Sequence, residues 1–313
     1  MKIKKIFAIG VVMSLLASNY YSTSSHGEDT ILMKGNDITK TSCELSEKTY
    51  NQSNSVILSG KGATVDLLSS APLSGLLKAP ILINSGKNID NRIIMEMDRL
   101  NVENVYIISG AKVISKEIVD NLKKQGYKIV DLSGKDRYQT SDNIADYIIN
   151  KKKDFEKSIL INGVNYADSP SISAFAYKHV TPILLTNGKS LTKETYKIVN
   201  INNNLLMVGG DKSISDSLYN ELQNKYIKMG RIIGENRYDT SKKIVEGLFE
   251  YNNKLLLADG KDDIDAGIIA SGYCAKNNRP LLLVKKRYKY KDMIQNTDNL
   301  YVSEKAYNDI NQK

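Results

Sequence analysis

An internal repeat constrains the fold of this chain more than any other feature of its sequence. Residues 134–141 read GKDRYQTS, and residues 234–241 read GENRYDTS about one hundred residues later. A weaker copy at residues 35–42 reads GNDITKTS, so Thr-Ser is present in all three copies and Arg-Tyr in two. A period of this length is the size of a domain rather than of a solenoid repeat. The sequence therefore predicts three similar modules.

Two further sets of markers recur with the same period. The first is an apolar strand, an aspartate, an Ala-rich helix and a strand that begins at a proline, with the pairs Asp66 and Pro80, Asp168 and Pro182, and Asp265 and Pro280. The second is an apolar strand followed by small residues and an amphipathic helix, at residues 105–114, at residues 205–214 and, in a weaker form, from residue 300. Residues 30–35 supply a strand at the start, so we expect each unit to open with its Gly-terminated strand. The expected units are residues 30–127, 128–228 and 229–313.

Strands and helices are expected to alternate along each unit. Continuous apolar strands between helical patterns are typical of a parallel sheet that is covered on both faces. The spacing of Ile144, Ala145 and Ile148 places these residues on one helix face. Hydroxyl side chains precede or open the helices as expected N-caps: Thr140, Ser141, Ser115 and Ser215. With right-handed crossovers, each unit becomes a small open Rossmann-like sheet of the α/β class, and binding sites are expected at its carboxyl edge.

The first residues have the order of a secretory signal. A Lys-rich start at residues 2–5 precedes an apolar stretch at 6–17 and a small polar run at 22–25. We therefore expect a signal peptide over residues 1–25 and export of the chain, with a short buried helix as the alternative. The apolar stretch is shorter than the roughly 20 residues that a membrane span needs, so we expect no membrane span.

Composition narrows the partners and the redox chemistry. The formal net charge of +9 favours polyanionic partners. The two cysteines, Cys43 and Cys274, are far apart in sequence and do not form the dense framework of a small disulfide-stapled domain. We expect two buried thiols, with a single bridge between them as the alternative.

The Arg-Tyr motif is the first candidate binding site. Arg137 and Arg237 each lie after a strand and before a helix, where a guanidinium can donate two hydrogen bonds to a phosphate or carboxylate and the helix N-terminus also favours an anion. The rings of Tyr138 and Tyr238 offer flat faces for a sugar. In the alternative interpretation, each Arg pairs with a repeat aspartate, the Tyr packs beneath it, and the hydroxyl side chains cap the helix.

A cationic run near the end of the chain is the second candidate site. Residues 285–291 read KKRYKYK directly after a predicted strand, and interleaved cations and aromatic rings suit a charged polymer. The candidate side chains are Lys285, Lys286 and Arg287. A solvated loop is the alternative, and the repeat aspartates are expected first of all at helix starts, where their charge suits the helix dipole.

Several catalytic signatures are missing from the sequence. His26 and His179 are the only histidines, so a His-rich zinc site or a His-based triad could be built within one chain only on His179. No Gly-x-Ser-x-Gly motif occurs, and residues 59–64, which read SGKGAT, only approach a phosphate-binding loop. We expect no catalytic centre, no metal and no cofactor, although paired carboxylates for glycoside cleavage stay open.

The repeated motifs resemble those of a known family. The motifs at residues 136–141 and 236–241, the PILL strand at residues 182–185 and Gly209-Gly210 before Ser215 resemble the cell-wall-binding repeat type 2 family over nearly all of the chain after residue 25. The resemblance implies three Rossmann-like or flavodoxin-like modules in a pseudo-threefold arrangement that hold an anionic, teichoic-acid-like wall polymer without a covalent bond. The positions that match the family's first motif are Arg137, Tyr138, Thr140, Arg237, Tyr238 and Thr240, which we take as candidate ligand-binding residues. Asp168 and Pro182 match its second motif.

The chain departs from the family pattern at two places. The first unit has Ile38 and Thr39 where the family has Arg-Tyr, and the third has residues 302–304, VSE, where it has Gly-Gly. Equal use of three sites is therefore in question.

Together these observations predict a secreted, non-catalytic protein that anchors at a Gram-positive cell wall. The expected partners are an anionic cell-wall polysaccharide and other S-layer proteins, with no nucleic acid. The alternative is a cell-wall hydrolase of the N-acetylmuramoyl-L-alanine amidase or autolysin type, or its targeting subunit. Nucleotide or nucleic-acid binding is a third class, which export disfavours.

Overall fold

Three separate parallel sheets organise the chain. The computed structural model describes residues 31–32, 37–226, 228–250, 253–286, 290–295 and 297–311. The expected signal peptide at residues 1–25 lies outside the described residues. In the described part of the chain, no helix combines the length and the apolar character that crossing a membrane requires.

Helices and strands alternate as the sequence predicts. The first third contains α1 (Ile38–Thr49), β1 (Ser55–Gly60), α2 (Thr64–Leu77), β2 (Ile81–Asn84), α3 (Asn91–Leu100), β3 (Asn104–Ile107), α4 (Lys116–Lys124) and β4 (Lys128–Asp131). The middle third contains α5 (Arg137–Lys151), β5 (Ser158–Asn162), α6 (Ile172–His179), β6 (Ile183–Thr186), α7 (Lys193–Asn202), β7 (Asn204–Val208), α8 (Asp216–Lys225) and β8 (Lys228–Ile232). The last third contains α9 (Arg237–Leu248), β9 (Lys254–Asp259), α10 (Ile264–Ile269), α11 (Ser271–Lys276), β10 (Leu281–Val284), α12 (Lys291–Ile294), β11 (Asp298–Tyr301) and α13 (Glu304–Asn311).

The three sheets share one topology. Their strand orders are β2-β1-β3-β4, β6-β5-β7-β8 and β10-β9-β11, and all pairs of neighbouring strands are parallel. The strand that occupies the position of β1 is flanked on both sides in each sheet, which explains its continuous apolar sequence. The α/β class and the three tandem open parallel-sheet modules are thus confirmed.

The modules share one core and each keeps a second core of its own. Because side chains alternate across a strand, Ile57 of β1 and Leu256 of β9 point into a common core with Ile159 of β5. On the opposite face, Leu58 packs into a core that belongs to the first module, and Leu257 packs into one that belongs to the third. The common core is the physical reason why the three modules form one assembly.

The helices that cover the common core approach one another closely. A Cβ atom on Gly75 of α2 would overlap the carbonyl oxygen of Tyr177 in α6, and one on Gly272 of α11 would overlap the hydroxyl of Tyr50. The hydroxyls of Tyr50 and Tyr177 are 3.1 Å apart and both side chains are buried. One helix from each module therefore meets the other two at the centre.

The opening strands do not lie where the sequence analysis expected them. We expected each unit to begin with a strand of its own sheet, but β4 pairs with β3 in the first sheet and β8 pairs with β7 in the second. The reason is that β4 returns directly from helix α4 to the free edge of β3, which is the shortest parallel crossover available. The chain then passes to the next module through the motif loop, and the motif helix packs on the next sheet.

The start of the described chain closes the assembly on the third sheet. Ile31 forms a parallel bridge with Tyr301 of β11, and the amide N–H of Leu32 donates to the Tyr301 carbonyl at 2.8 Å. The ammonium of Lys48 donates to the Leu32 carbonyl at 3.0 Å. The third sheet, with three strands of its own among the described residues, thereby gains an edge partner from the start of the described chain.

Removing the Leu32 side chain should test this closure. Leu32 is buried in the common core, so we expect Leu32→Ala to lower the free energy of unfolding by about 2 to 3 kcal/mol through lost burial and a residual cavity. Urea unfolding of the variant measures the loss. The matched control is Met95→Ala, whose side chain is 69% exposed, and an equal effect in both variants would contradict the closure.

The two cysteines are confirmed as buried free thiols. Burial raises the pKa of Cys43 to about 12 and that of Cys274 to about 12. Because the thiolate is the reactive form, neither side chain is suited to nucleophilic chemistry at neutral pH.

Candidate binding grooves between the modules

The glycine that opens each Arg-Tyr motif makes a turn that has no space for a side chain. A Cβ atom on Gly134 would lie 2.6 Å from the backbone nitrogen of Thr140, and one on Gly234 would overlap that of Thr240. The amide N–H groups of these glycines donate to the hydroxyls of the same threonines, at 2.9 and 3.0 Å. The Gly and Thr of the motif thus fix one tight turn between a strand and a helix.

Thr140 and Thr240, which the sequence analysis expected at the ligand, lie inside this turn. Their side chains are only 2% and 0% exposed, respectively. Each hydroxyl is engaged by a backbone N–H, so both residues hold the turn instead. Tyr238 is also buried, whereas Tyr138 is half-buried.

The serine that follows the threonine joins the motif helix to the proline-led strand. The hydroxyl of Ser141 donates to the carbonyl of Ile183 in β6 at 2.9 Å. In the third module, the hydroxyl of Ser241 accepts from the amide N–H of Leu283 in β10 at 2.8 Å. The first module repeats this contact between Ser42 and β2, at 3.0 Å. The three shared serines are therefore explained by structure alone.

The N-caps differ in part from those expected. The motif helices α5 and α9 begin at the arginine, and their N-caps are Asp136 and Asn236, whose side chains accept hydrogen bonds from the first turn. Thr140 is therefore not an N-cap, and Ser141 lies one residue further into the helix. Ser115 is confirmed as the N-cap of α4, and so is Ser215 for α8.

Each motif arginine braces the glycine turn that follows the next strand. A guanidinium nitrogen of Arg137 (Nη1) donates to the carbonyl of Gly163 at 2.5 Å, and the same nitrogen of Arg237 donates to that of Gly260 at 2.8 Å. The ring of the adjacent tyrosine lies against the same glycine, since a Cβ on Gly163 would be 3.0 Å from Tyr138. The arginines therefore have a structural contact, although Arg137 is exposed and Arg237 half-buried.

The repeat aspartates face these arginines from the preceding module. Burial raises the pKa of Asp66 to about 6, and the charge of Arg137 opposes that rise. Burial likewise raises the pKa of Asp168, and the charge of Arg237 opposes it. At two of the three junctions, the charge of an arginine thus acts on an aspartate of the preceding module, while the guanidinium itself donates to a glycine carbonyl.

The junction between the third and first modules is built differently. The first module has Ile38 at the position of the arginine, and the hydroxyl of Thr64 donates to the Asp265 carboxylate at 2.5 Å. Burial raises the pKa of Asp265, and this hydrogen bond opposes the rise. A neutral donor therefore replaces the guanidinium at this junction.

The raised pKa of Asp66 should make folding stability depend on pH. The folded protein holds the Asp66 proton up to about pH 6, whereas an unfolded carboxyl loses it near pH 4. The folded state therefore binds more protons between these values, and the free energy of unfolding should fall as the pH rises from about 4 to about 6.

Replacing Asp66 by asparagine should remove that dependence. We expect Asp66→Asn to be more stable than the parent at pH 7 by about 2 kcal/mol and to have a flatter pH profile. Urea unfolding from pH 4 to 7 measures both, with the exposed Asp154→Asn as the matched control. Parallel profiles for the parent and both variants would refute the assignment to Asp66.

A groove of about 880 Å³ lies between the second and third modules, and we call it the 2–3 groove. Its apolar walls include Val164 and Ile233, which are 60% and 41% exposed. Its charged lining consists of Lys212, Arg237, Lys243, Asp168, Asp211 and Glu235. Apolar faces beside a guanidinium suit a sugar polymer that bears anionic groups.

A second groove, of about 640 Å³, lies between the third and first modules, and we call it the 3–1 groove. Its charged lining consists of Lys61, Lys261, Lys305, Asp262, Asp263, Asp265 and Glu304. The ammonium of Lys305 pairs with Asp259 at 3.3 Å and also with Asp262. Tyr166 and Ile264 line both grooves, so the two grooves adjoin.

The two lysines of the cationic run that the structure describes lie outside the lining of both grooves. Lys285 and Lys286 are exposed directly after β10, at the carboxyl edge of the third sheet. Arg287 lies outside the described residues. The structure thus brings Arg237 into a groove and leaves Lys285 and Lys286 exposed outside it.

The described residues also bear on metal and histidine chemistry. Among the residues that the structure describes, no group of three or more His, Cys, Asp or Glu side chains is arranged to hold a metal ion. The ring of His179 lies 4.4 Å from that of Phe175, centroid to centroid, and burial lowers its pKa.

The fold and the grooves define a class of protein: a three-module α/β assembly whose candidate binding surfaces lie at the module junctions. Three segments of the sequence, residues 33–119, 132–219 and 231–307, match the family described as Cell wall binding domain 2 (CWB2). The chain belongs to this family. Binding to the cell wall and a position at the cell surface follow from that membership.

Known proteins of related sequence and structure agree with this assignment. N-acetylmuramoyl-L-alanine amidase LytC of Bacillus subtilis (strain 168) is 27% identical over 245 residues, and the match covers 78% of this chain and 48% of LytC. The amidase enhancer of the same organism is 29% identical over 241 residues, which cover 77% of this chain and 32% of the enhancer. Cwp8 from Clostridium difficile superposes with a TM-score of 0.78 at 27% identity, over 87% of this chain and 49% of Cwp8. The chain therefore spans about half the length of LytC and Cwp8, and about a third of the enhancer.

Proposed function

We propose that this chain anchors at the cell wall by holding an anionic, teichoic-acid-like polymer in the 2–3 groove, without a covalent bond and without catalysis. The observation that carries the proposal is the combination, in one open groove, of the Arg237 guanidinium with the exposed apolar surfaces of Val164 and Ile233. A guanidinium has five N–H donors, and among the described residues Arg237 donates one hydrogen bond, to the Gly260 carbonyl. The remaining donors are available to an oxyanion.

Multivalency supports retention on a polymer. Arg137 lies at the first junction, and the 2–3 and 3–1 grooves adjoin, so one rigid body presents several weak anion-binding surfaces to successive units of one chain. Linked weak contacts produce an avidity above that of any single contact. We further propose that residues 1–25 direct export and that S-layer proteins are partners at the surface.

Cosedimentation with purified walls tests the proposal. The full chain should sediment with intact walls and stay in solution with walls stripped of their anionic polymer, and moderate salt should weaken the binding because exposed charges are screened. Lys212→Gln, in the 2–3 groove, should bind less tightly than the control Lys193→Gln on the exposed surface of α7. Equal binding to intact and stripped walls would remove the proposal.

The competing function is a wall hydrolase or its targeting subunit, because one relative is named an amidase and another an amidase enhancer. A fall in the turbidity of a wall suspension after addition of the chain alone would favour the hydrolase. We expect no fall, since the proposed role of this chain is binding.

A further inference from the structure

A crevice of about 580 Å³ at the carboxyl edge of the first sheet collects three lysines. Lys61 follows β1, Lys87 follows β2, and Lys112 lies between β3 and α4. Among the described residues, no ion pair is recorded for any of the three. Glu117 is the one carboxylate in the described lining. We call this site the lysine crevice.

The backbone around the lysine crevice is held in place. The side-chain amide of Asn84 donates to the carbonyls of Gly86 at 2.8 Å and Asn88 at 3.1 Å, and its oxygen accepts from the amide N–H of Asp90 at 3.0 Å. The amide N–H of Lys61 donates to the Asn84 carbonyl at 3.1 Å. The loop that carries Lys87 is therefore fixed against the loop that carries Lys61, so little ordering is needed when a ligand binds.

A helix terminus adds to the positive potential of this crevice. Ser115, which lines it, is the N-cap of α4, and its hydroxyl accepts from the amide N–H of Ile118. The nine-residue helix α4 begins at Lys116, so its positive dipole end faces the crevice. Three exposed lysines and a helix N-terminus thus line one concave surface.

The charge balance separates the lysine crevice from the two grooves. The 2–3 groove has as many carboxylates as cations in its lining, and in the 3–1 groove Lys305 is paired with two aspartates. In the lysine crevice, the cations outnumber the acids three to one. Lys61 also lines the 3–1 groove, so a bound chain can pass from the groove into the crevice.

The second module has two of the corresponding lysines, but the described residues of its loop are packed so that no open crevice forms at this place. Lys189 and Lys212 occupy the positions of Lys87 and Lys112 in the repeat, whereas Val164 replaces Lys61. A Cβ on Gly188 would lie 2.5 Å from the carbonyl of Ser213, so the corresponding loop is packed against its neighbour. The first module, which lacks Arg-Tyr, thus has an open crevice with three lysines.

We propose that the lysine crevice binds a phosphodiester group of the wall polymer and provides the first module with an anion site in place of the missing Arg-Tyr motif. The identity of the polymer rests on the proposed function. The phosphate site itself depends only on the crevice. Ammonium groups around a tetrahedral oxyanion make charge-assisted hydrogen bonds from several sides.

A titration of the full chain tests this site without cell walls. The diester probe is a synthetic glycerol-phosphate trimer, the free-ion probe is inorganic phosphate, and the readout is the backbone amide NMR signals. The triple variant Lys61→Gln, Lys87→Gln and Lys112→Gln is compared with a control that loses the same charge at exposed positions, Lys123→Gln, Lys124→Gln and Lys193→Gln. The trimer should shift the amide signals of residues 85–89 and 115–118.

We expect the crevice variant to bind the trimer about tenfold more weakly than the parent and the control to change less than about twofold. Equal losses of trimer affinity in both variants would show that net charge alone explains the effect, and this would contradict the proposed site. Inorganic phosphate binding as tightly as the trimer would overturn the phosphodiester assignment. Trimer binding without wall cosedimentation would contradict the proposed function but would still support the phosphodiester site in the lysine crevice.

Discussion

Valine at position 75 is expected to force the central helices apart and to cost more stability than any other single change considered for this protein. A Cβ atom on Gly75 would already overlap the carbonyl oxygen of Tyr177 in α6. This neighbour is backbone and cannot rotate away, so α2 and α6 must separate. We expect Gly75→Val to lower the free energy of unfolding by about 3 kcal/mol or more.

Thermal unfolding of Gly75→Val measures this loss, and the chain offers a matched control. Gly247 lies in α9, and a Cβ there would have no neighbour within 4 Å. Gly247→Ala should therefore stabilise the protein by up to about 1 kcal/mol, because glycine is unfavourable within a helix. A Gly75 variant as stable as the parent would mean that the helices of the common core do not meet as described.

The largest functional effect is expected from the two motif arginines. We predict that Arg137→Ala combined with Arg237→Ala will weaken wall retention about tenfold, because each guanidinium is held in place by a backbone carbonyl and so presents a preordered donor set. Lys285→Ala, on an exposed loop, should change retention far less because its charge is screened. Cosedimentation with intact walls gives the comparison.

The arginines also donate hydrogen bonds to Gly163 and Gly260. Weaker wall retention by the alanine variants must therefore be distinguished from a loss of folding. Thermal unfolding of the alanine variants reports on the brace. Arg137→Lys and Arg237→Lys keep the charge but lose the planar fork, so retention by these variants shows whether charge alone suffices. Retention of the alanine variants at the level of Lys285→Ala would contradict a binding role for the arginines.

The repeat predicted the fold because each module needs the same few local features. The Gly and Thr of the motif close a turn through a contact between residues six positions apart. The Ser attaches the motif helix to a strand through a contact between residues 42 positions apart. Apolar strands of four to six residues between helices determined the sheet class. The motif turn and the apolar strands are local features, and the sequence shows them directly.

The position of β4 in the first sheet could not be obtained in the same way. The repeat pattern is equally satisfied if the strand that precedes the motif joins the sheet before it or the sheet after it. The choice depends on which sheet edge is free when the chain returns from α4, and that is a property of the assembled module. For the same reason, the pairing of Ile31 with Tyr301 had no local signal.

The candidate site was predictable only in part. The sequence identified Arg237, and the structure places it in the 2–3 groove. The sequence also named Thr240 as a candidate ligand contact, because it does not show that this side chain is buried. Val164 and Ile233 form the apolar walls of the groove, and an exposed apolar residue cannot be distinguished from a core residue by its type. The recurrence of lysine at positions 87 and 189 was a signal for the lysine crevice, although the convergence with Lys61 depends on folding.

The central claim, that the grooves at the module junctions hold the wall polymer, is tested most directly by hydrogen–deuterium exchange of the full chain with and without the purified polymer. Bound polymer should slow exchange in residues 164–168, 210–213 and 233–237, which line the 2–3 groove from both modules. Saturated binding that leaves these segments unchanged, with protection confined to the outer helices α3 and α7, would contradict the account.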